Sequence, residues 1–116
     1  MSSLVKLVTW VLGVVLLLTG ILGFIMPSPL LGLFEVDTIH NVVHILSGLV
    51  AIFAVSSGAS YARMFLIVFG IVYGIVAILG FVNAGNIFLF TVNAADNYLH
   101  TAIAVVCLAV GFGSKK

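Results

Sequence analysis

Apolar positions fall into four long runs, about Leu4–Met26, Thr38–Val55, Tyr61–Val82 and Ala95–Gly111, separated by short segments of proline, glycine, serine and asparagine. Crossing a bilayer core takes about 20 apolar residues per helix, and each run is near that length. Pro27-Ser28-Pro29 closes the first run, because proline cannot continue a helix. Ser56-Ser57-Gly58-Ala59-Ser60 is a small, flexible turn between the second and third. Asn83-Ala84-Gly85-Asn86 opens a third connection that then becomes apolar. The pattern predicts an all-α integral membrane protein of four transmembrane helices, forming one domain over residues 1–116.

Composition agrees. Of 116 residues, 64% are apolar and only 6% charged, with mean hydropathy +1.43. Soluble domains hold roughly 45–50% apolar and about 25% charged residues, so lipid is the expected solvent and the lipid bilayer the first partner. A net charge of +1 offers no basic field for nucleic acid. Leu7–Met26 is longer than the roughly 7–15 residues of a signal-peptide core and no A-x-A-like site follows, so the first run reads as a retained anchor. The lone Cys107 lies inside the fourth run and reads as a small packing residue.

Charge placement orients the bundle. Lys6, Arg63, Lys115 and Lys116 all fall on one side, whereas Glu35, Asp37 and Asp96 fall on the other. Basic residues mark the cytoplasmic face. Both termini are therefore expected in the cytoplasm of a multi-pass protein of the inner or plasma membrane, with the two longer connections outside.

The two halves match each other. Leu33-Phe34-Glu35-Val36-Asp37-Thr38-Ile39-His40-Asn41-Val42-Val43-His44 aligns with Leu89-Phe90-Thr91-Val92-Asn93-Ala94-Ala95-Asp96-Asn97-Tyr98-Leu99-His100, 56 positions later. Ile21-Leu22-Gly23-Phe24 matches Ile78-Leu79-Gly80-Phe81, and Gly13 matches Gly70, at an offset of 57. Apolar helices resemble each other by chance, but matched polar residues within them do not. We read a duplication, with repeat 1 over about 4–56 and repeat 2 over about 61–113. Each unit has two spans, so the copies should be parallel repeats related by a pseudo-two-fold axis along the membrane normal.

The paired motifs His40-Asn41-x-x-His44 with Gly48, and Asp96-Asn97-x-x-His100, each open a helix after a short connection. In these motifs, and over nearly its whole length, the chain resembles the bacterial four-helix membrane proteins grouped as domain of unknown function 4383. Ala104 stands where that family would be expected to favour glycine. The resemblance implies the fold and carries no activity.

The candidate chemistry is concentrated in those motifs. Asp37 and Asn93 are favoured N-cap residues, and Asp96, three residues after Asn93, suits the exposed N–H groups and dipole of a helix start. His40 and His44 share one helix face, as do Asp96 and His100. Small residues follow on both faces, Ser47, Gly48 and Ala51 on one and Ala104 and Cys107 on the other, and small residues mark close helix contact. The expectation is that the second and fourth helices meet there, bringing three imidazoles and one carboxylate together, with Asn41 and Asn97 bonding across helices or back to the connections.

Three readings of that cluster compete. In the first, which the sequence favours, it is a hydrogen-bonded network in which Asp96 accepts from an imidazole and nothing else is bound. In the second it is a cofactor site: His40, His44, Asp96 and His100 as ligands of zinc or another first-row metal ion, or His44 and His100 as axial ligands of haem or chlorophyll. Close approach at Gly48 and Ala104 argues against a macrocycle between the helices. The third is a proton or ion path, which ranks last because the inner two-thirds of each span lack ionisable residues. Serines occur singly or in turns and no phosphate loop exists, so no catalytic residue is assigned and no enzyme is expected. Gly70-x-x-x-Gly74 suggests a tight contact, internal or intermolecular. Trp10, Tyr61, Tyr73 and Tyr98 read as interfacial or packing aromatics. Leu30, Leu31, Phe34, Phe88 and Phe90 are too apolar for open loops and should lid the cluster, fold into the interface or meet a partner. The expected role is that of a non-enzymatic accessory or structural protein, as a subunit of a larger membrane complex or a homo-oligomer.

The orientation is testable by labelling. A cysteine placed at Glu35 should react with an impermeant thiol reagent in intact cells, and one at Ser57 should not; the reverse pattern would place the termini outside.

Overall fold

The computed structural model describes residues 2–26, 37–83, 86–87 and 90–113. Four helices form, α1 (Ser2–Ile25), α2 (Thr38–Ser57), α3 (Ala59–Val82) and α4 (Ala94–Gly113). All four are long and apolar enough to cross a membrane. The chain is a small four-helix membrane protein. Their lengths of 20–24 residues correspond to roughly 30–36 Å at 1.5 Å per residue.

Lipid as solvent explains the outer surface. Leu18, Phe24, Phe53, Ile78, Val105 and Phe112 are all more than half exposed, an arrangement that would be costly in water and costs nothing among acyl chains. Hydroxyls within the spans satisfy themselves by bonding back one turn: Thr9 to Val5 O at 2.7 Å, Thr101 to Asn97 O at 2.8 Å, and Thr19 to Val15 O. Ser57 does the same to Phe53 O at 2.9 Å, which carries α2 further than the expected Val55 end. The turn expected over 56–60 shrinks to one residue, Gly58, at φ +140°, a backbone conformation that side chains resist.

The third connection holds more structure than its sequence suggests. Two short strands, β1 (Asn86–Ile87) and β2 (Phe90–Thr91), pair antiparallel with Asn86 opposite Thr91 and Ile87 opposite Phe90. Pairing satisfies backbone groups of an apolar connection that water would reach poorly. Val92, just before α4, is buried against Gly80, so this connection does fold inward at its end. Pro27-Ser28-Pro29, the Leu30–Val36 connection with Glu35, Ala84-Gly85, Phe88-Leu89 and Lys115-Lys116 lie outside the described residues, as does the lid expected of Leu30, Leu31, Phe34, Phe88 and the Phe90 side chain.

Packing is tightest within each half, α1 on α2 and α3 on α4. Here one expectation is corrected. The small residues do not draw α2 onto α4. A Cβ on Gly48 would lie 2.7 Å from Gly13 O and Leu17 N, both backbone atoms of α1. Gly70 packs on Cys107 and Leu108 of α4, and Gly74 faces Ala104 of the same helix. The Gly70-x-x-x-Gly74 contact is thus internal. Spacing alone shows that a helix face is small, but not which neighbour it meets. Between the halves lie two apolar clusters: Leu16, Tyr73 and Ala104 midway, and a larger group around Ala51, Ala62, Phe65 and Leu66 toward the end bearing Lys6 and Arg63.

These contacts predict opposite outcomes for two glycines. Gly48→Ala forces backbones apart and should cost about 1–3 kcal/mol, seen as a lower melting temperature in detergent. At Gly74 the nearest atom to a new Cβ is 3.8 Å away, so Gly74→Ala should be neutral or stabilise by up to about 1 kcal/mol through helix propensity.

Candidate functional site

The polar groups collect where α2 and α4 begin, and local rules put them there. Asp37 is extended at φ −142° and its Oδ1 accepts from His40 N at 2.8 Å, which caps α2. At α4 the cap is reciprocal. Asp96 N donates to Asn93 Oδ1 at 2.9 Å and Asn93 N donates to Asp96 Oδ2 at 3.0 Å, a capping box built with aspartate. The expected caps are therefore present, and Asp96 does part of its work on its own helix.

Below the caps each helix buries one stripe. α2 buries His40, Asn41, His44, Ser47, Gly48, Ala51 and Val55; α4 buries Asp96, Asn97, His100, Ala104, Cys107 and Gly111. The Oδ1 atoms of Asn41 and Asn97 each face the neighbouring helix of their own half. A Cβ on Gly23 would collide with Asn41 Oδ1, and one on Gly80 with Asn97 Oδ1. Each amide therefore presses on the glycine of the adjoining helix in its own half. Both Oδ1 atoms are buried without a hydrogen bond, leaving them close Cα–H neighbours as weak partners.

The three histidines do converge. Ring centroids lie 4.4 Å apart for His40 and His44, 5.6 Å for His40 and His100, and 6.3 Å for His44 and His100. One ring nitrogen from each falls within 4.8 Å of the others, and all three residues are buried. His44 Nδ1 and His100 Nδ1 are buried with no hydrogen-bond partner. Asp96 is buried one turn before His100 but is not a member of that group of three. Converging imidazoles with available lone pairs can hold a cation; fully bonded to each other and to acceptors, they can equally form a polar network.

Two cavities flank the rings, and they differ in character. Between α2 and α3 lies one of about 330 Å³, bordered by all three histidines, Ser47 and Tyr73. Between α1 and α4 lies a groove of about 440 Å³ whose wall is apolar except for His44 and Thr19. Tyr73 is the residue that sequence reading missed. It was expected only as one of four interfacial or packing aromatics, with no link to the cluster; it is 4% exposed, its ring 5.5 Å from that of His100. Its hydroxyl stands beside Ser47 and completes no hydrogen bond. The offset of 57 was a usable signal: it sets Tyr73 opposite Leu16, a polar head where the other half is apolar. Tyr98, by contrast, is outside, against Phe81 at 5.6 Å.

The model of the family described as domain of unknown function (DUF4383) matches residues 6–113. No curated protein and no solved structure matches the chain.

The capping box should behave as a unit. Asn93→Ala should cost about 0.5–2 kcal/mol, and Asp96→Ala about 1–3 kcal/mol, in thermal melts in detergent. Because each residue bonds the other's backbone, the double variant should lose less than the sum. Strictly additive losses would mean that the two bonds act separately.

Proposed function

The chain belongs to the DUF4383 family, and from that starting point we propose that it is a small accessory membrane protein holding one first-row transition-metal ion between its two halves. The observation that carries this reading is the convergence of three buried imidazoles, two of them with an Nδ1 that has no hydrogen-bond partner among the described residues. A buried polar atom left unpaired costs about 1–3 kcal/mol. A network closed by Asp96 alone leaves both of those atoms unexplained; an ion gives them a role.

The fit is near that of a zinc-type site. Three donors at the 4.8 Å limit lie about 2.8 Å from their common centre, and zinc–nitrogen bonds are about 2.0–2.1 Å, so closure takes less than about 1 Å of side-chain movement. Imidazole suits zinc, copper, nickel and iron alike, and zinc-type ions are our reading because three neutral nitrogens make a borderline-soft site. Asp96 places a buried carboxyl one turn away. A haem or chlorophyll between His44 and His100 fits less well. The His40 ring is so near both that a flat macrocycle would run into it.

Three further parts of the reading go with this one. The matched contacts of Asn41 on Gly23 and Asn97 on Gly80 support a duplicated unit with parallel, pseudo-two-fold halves. The positions of Lys6 and Arg63 support cytoplasmic termini in an inner or plasma membrane, which sets the cluster at the outer side. The accessory role, within a complex or as a homo-oligomer, is part of the same proposal and rests on a chain made of four apolar helices with one buried polar layer.

Elemental analysis tests the proposal. Protein purified in detergent and exposed to zinc, then exchanged free of excess, should retain about one equivalent. His44→Ala and His100→Ala should each lower retention at least tenfold while the helical circular-dichroism signal stays. Wild-type protein that retains no metal would return the cluster to a hydrogen-bonded network, and a visible absorption band lost with His44 or His100 would favour the tetrapyrrole.

A further inference from the structure

We propose that the free coordination position of the metal site takes a small anionic or water-sized donor held in the α2–α3 cavity by the Tyr73 hydroxyl. This rests on the ion proposed above. Three protein ligands leave a four-coordinate ion one position short, which is the pattern of sites that bind an exogenous ligand. The imidazoles arrive from α2 and α4, and among the described residues two cavities border them, one on either side.

Polarity chooses between them. On the α1–α4 side Leu16 and Ile103 offer no hydrogen bond, and the hydroxyl of Thr19 is already given to Val15 O. On the α2–α3 side the corresponding positions are Tyr73 and Ser47. By the offsets that relate the halves, Ser47 stands opposite Ile103 and Tyr73 opposite Leu16. The two departures from the repeat thus fall together, on one face and beside one another. Nothing in helix packing requires that.

Tyr73 is an independent pointer to a ligand. Its hydroxyl is buried, borders the cavity and, with Ser47 beside it, makes no well-formed hydrogen bond among the described residues, a state that costs stability unless something in the cavity accepts its proton. A cavity of about 330 Å³ exceeds the roughly 30 Å³ share of one water severalfold, so a donor of a few atoms fits with room for solvent. A metal-bound anion accepting from Tyr73 Oη would satisfy both the ion and the phenol. Ser47 would then back the phenol and keep its hydroxyl turned inward. Tyr73 touches the ligand and not the metal, so it is a positioning residue.

Cobalt(II) and azide test this in the full chain in detergent. Cobalt-loaded protein should show visible d–d bands, and azide should shift them in a saturable way. Tyr73→Phe should leave the cobalt stoichiometry and the azide-free bands unchanged while weakening azide binding roughly tenfold, the value of one hydrogen bond to a charged acceptor. Bands that do not respond to azide in the wild-type protein would overturn the open position and leave the ion site standing. A response identical in wild type and Tyr73→Phe would overturn the role of the α2–α3 face. Failure of the wild-type protein to bind cobalt at all would remove the ion and this inference together.

Discussion

A bilayer core offers no water to a polar group, and the structure is arranged around that deprivation. The backbone is satisfied by helices, and isolated hydroxyls by bonding back one turn. Side chains that cannot be satisfied within their own helix, imidazoles, amides and a carboxylate, are gathered at the starts of α2 and α4, where unpaired helix N–H groups can also be capped. Burial of His40, Asp96 and His100 to 2% exposure or less is therefore concentrated in one layer of the bundle. The remaining length of each span is free to be apolar outside and small inside.

That division of labour made part of the molecule legible in advance. Run lengths gave the four spans within a few residues, because bilayer thickness imposes length directly. The caps were legible because aspartate and asparagine at a helix start have a local reason to be there. Convergence of the three histidines was expected from their spacing of four and from small residues drawing α2 onto α4; the rings do converge, but that second premise fails. Partner choice was not legible. Gly48 and Ala104 marked small faces correctly, but a small face fits any neighbour, and the neighbours are α1 and α3, not each other. Tyr73 escaped because its exposure depends on the rotation of α3 about its axis, which a uniformly apolar sequence hardly encodes. The hairpin of β1 and β2 escaped because two paired residues leave no alternating pattern to detect.

The correction about small residues changes how the cluster is understood. Had glycine and alanine drawn α2 and α4 together, the histidines would have been squeezed between two touching backbones. Instead the close approaches lie inside each half, at Gly13 with Gly48 and at Gly70 with Cys107. Each half is thus a self-consistent pair of helices. The seam between halves is filled by larger side chains and bordered by cavities.

Such a seam is where a shared ligand has the most effect. His40 and His44 come from the first half and His100 from the second, so an ion bound by all three would tie the halves together at the end where apolar packing is thinnest. The Leu16–Tyr73–Ala104 contact and the cluster around Ala51 and Leu66 hold the rest of the seam. An ion there would do for the polar end what leucine and phenylalanine do for the other. Because imidazole groups can rotate where a glycine contact between backbones cannot yield, a ligand of the proposed kind would enter or leave the polar end without the helix pairs coming apart. In the proposed reading, stability and binding would rest on different contacts, the first on close backbone approach within the halves and the second on side chains between them.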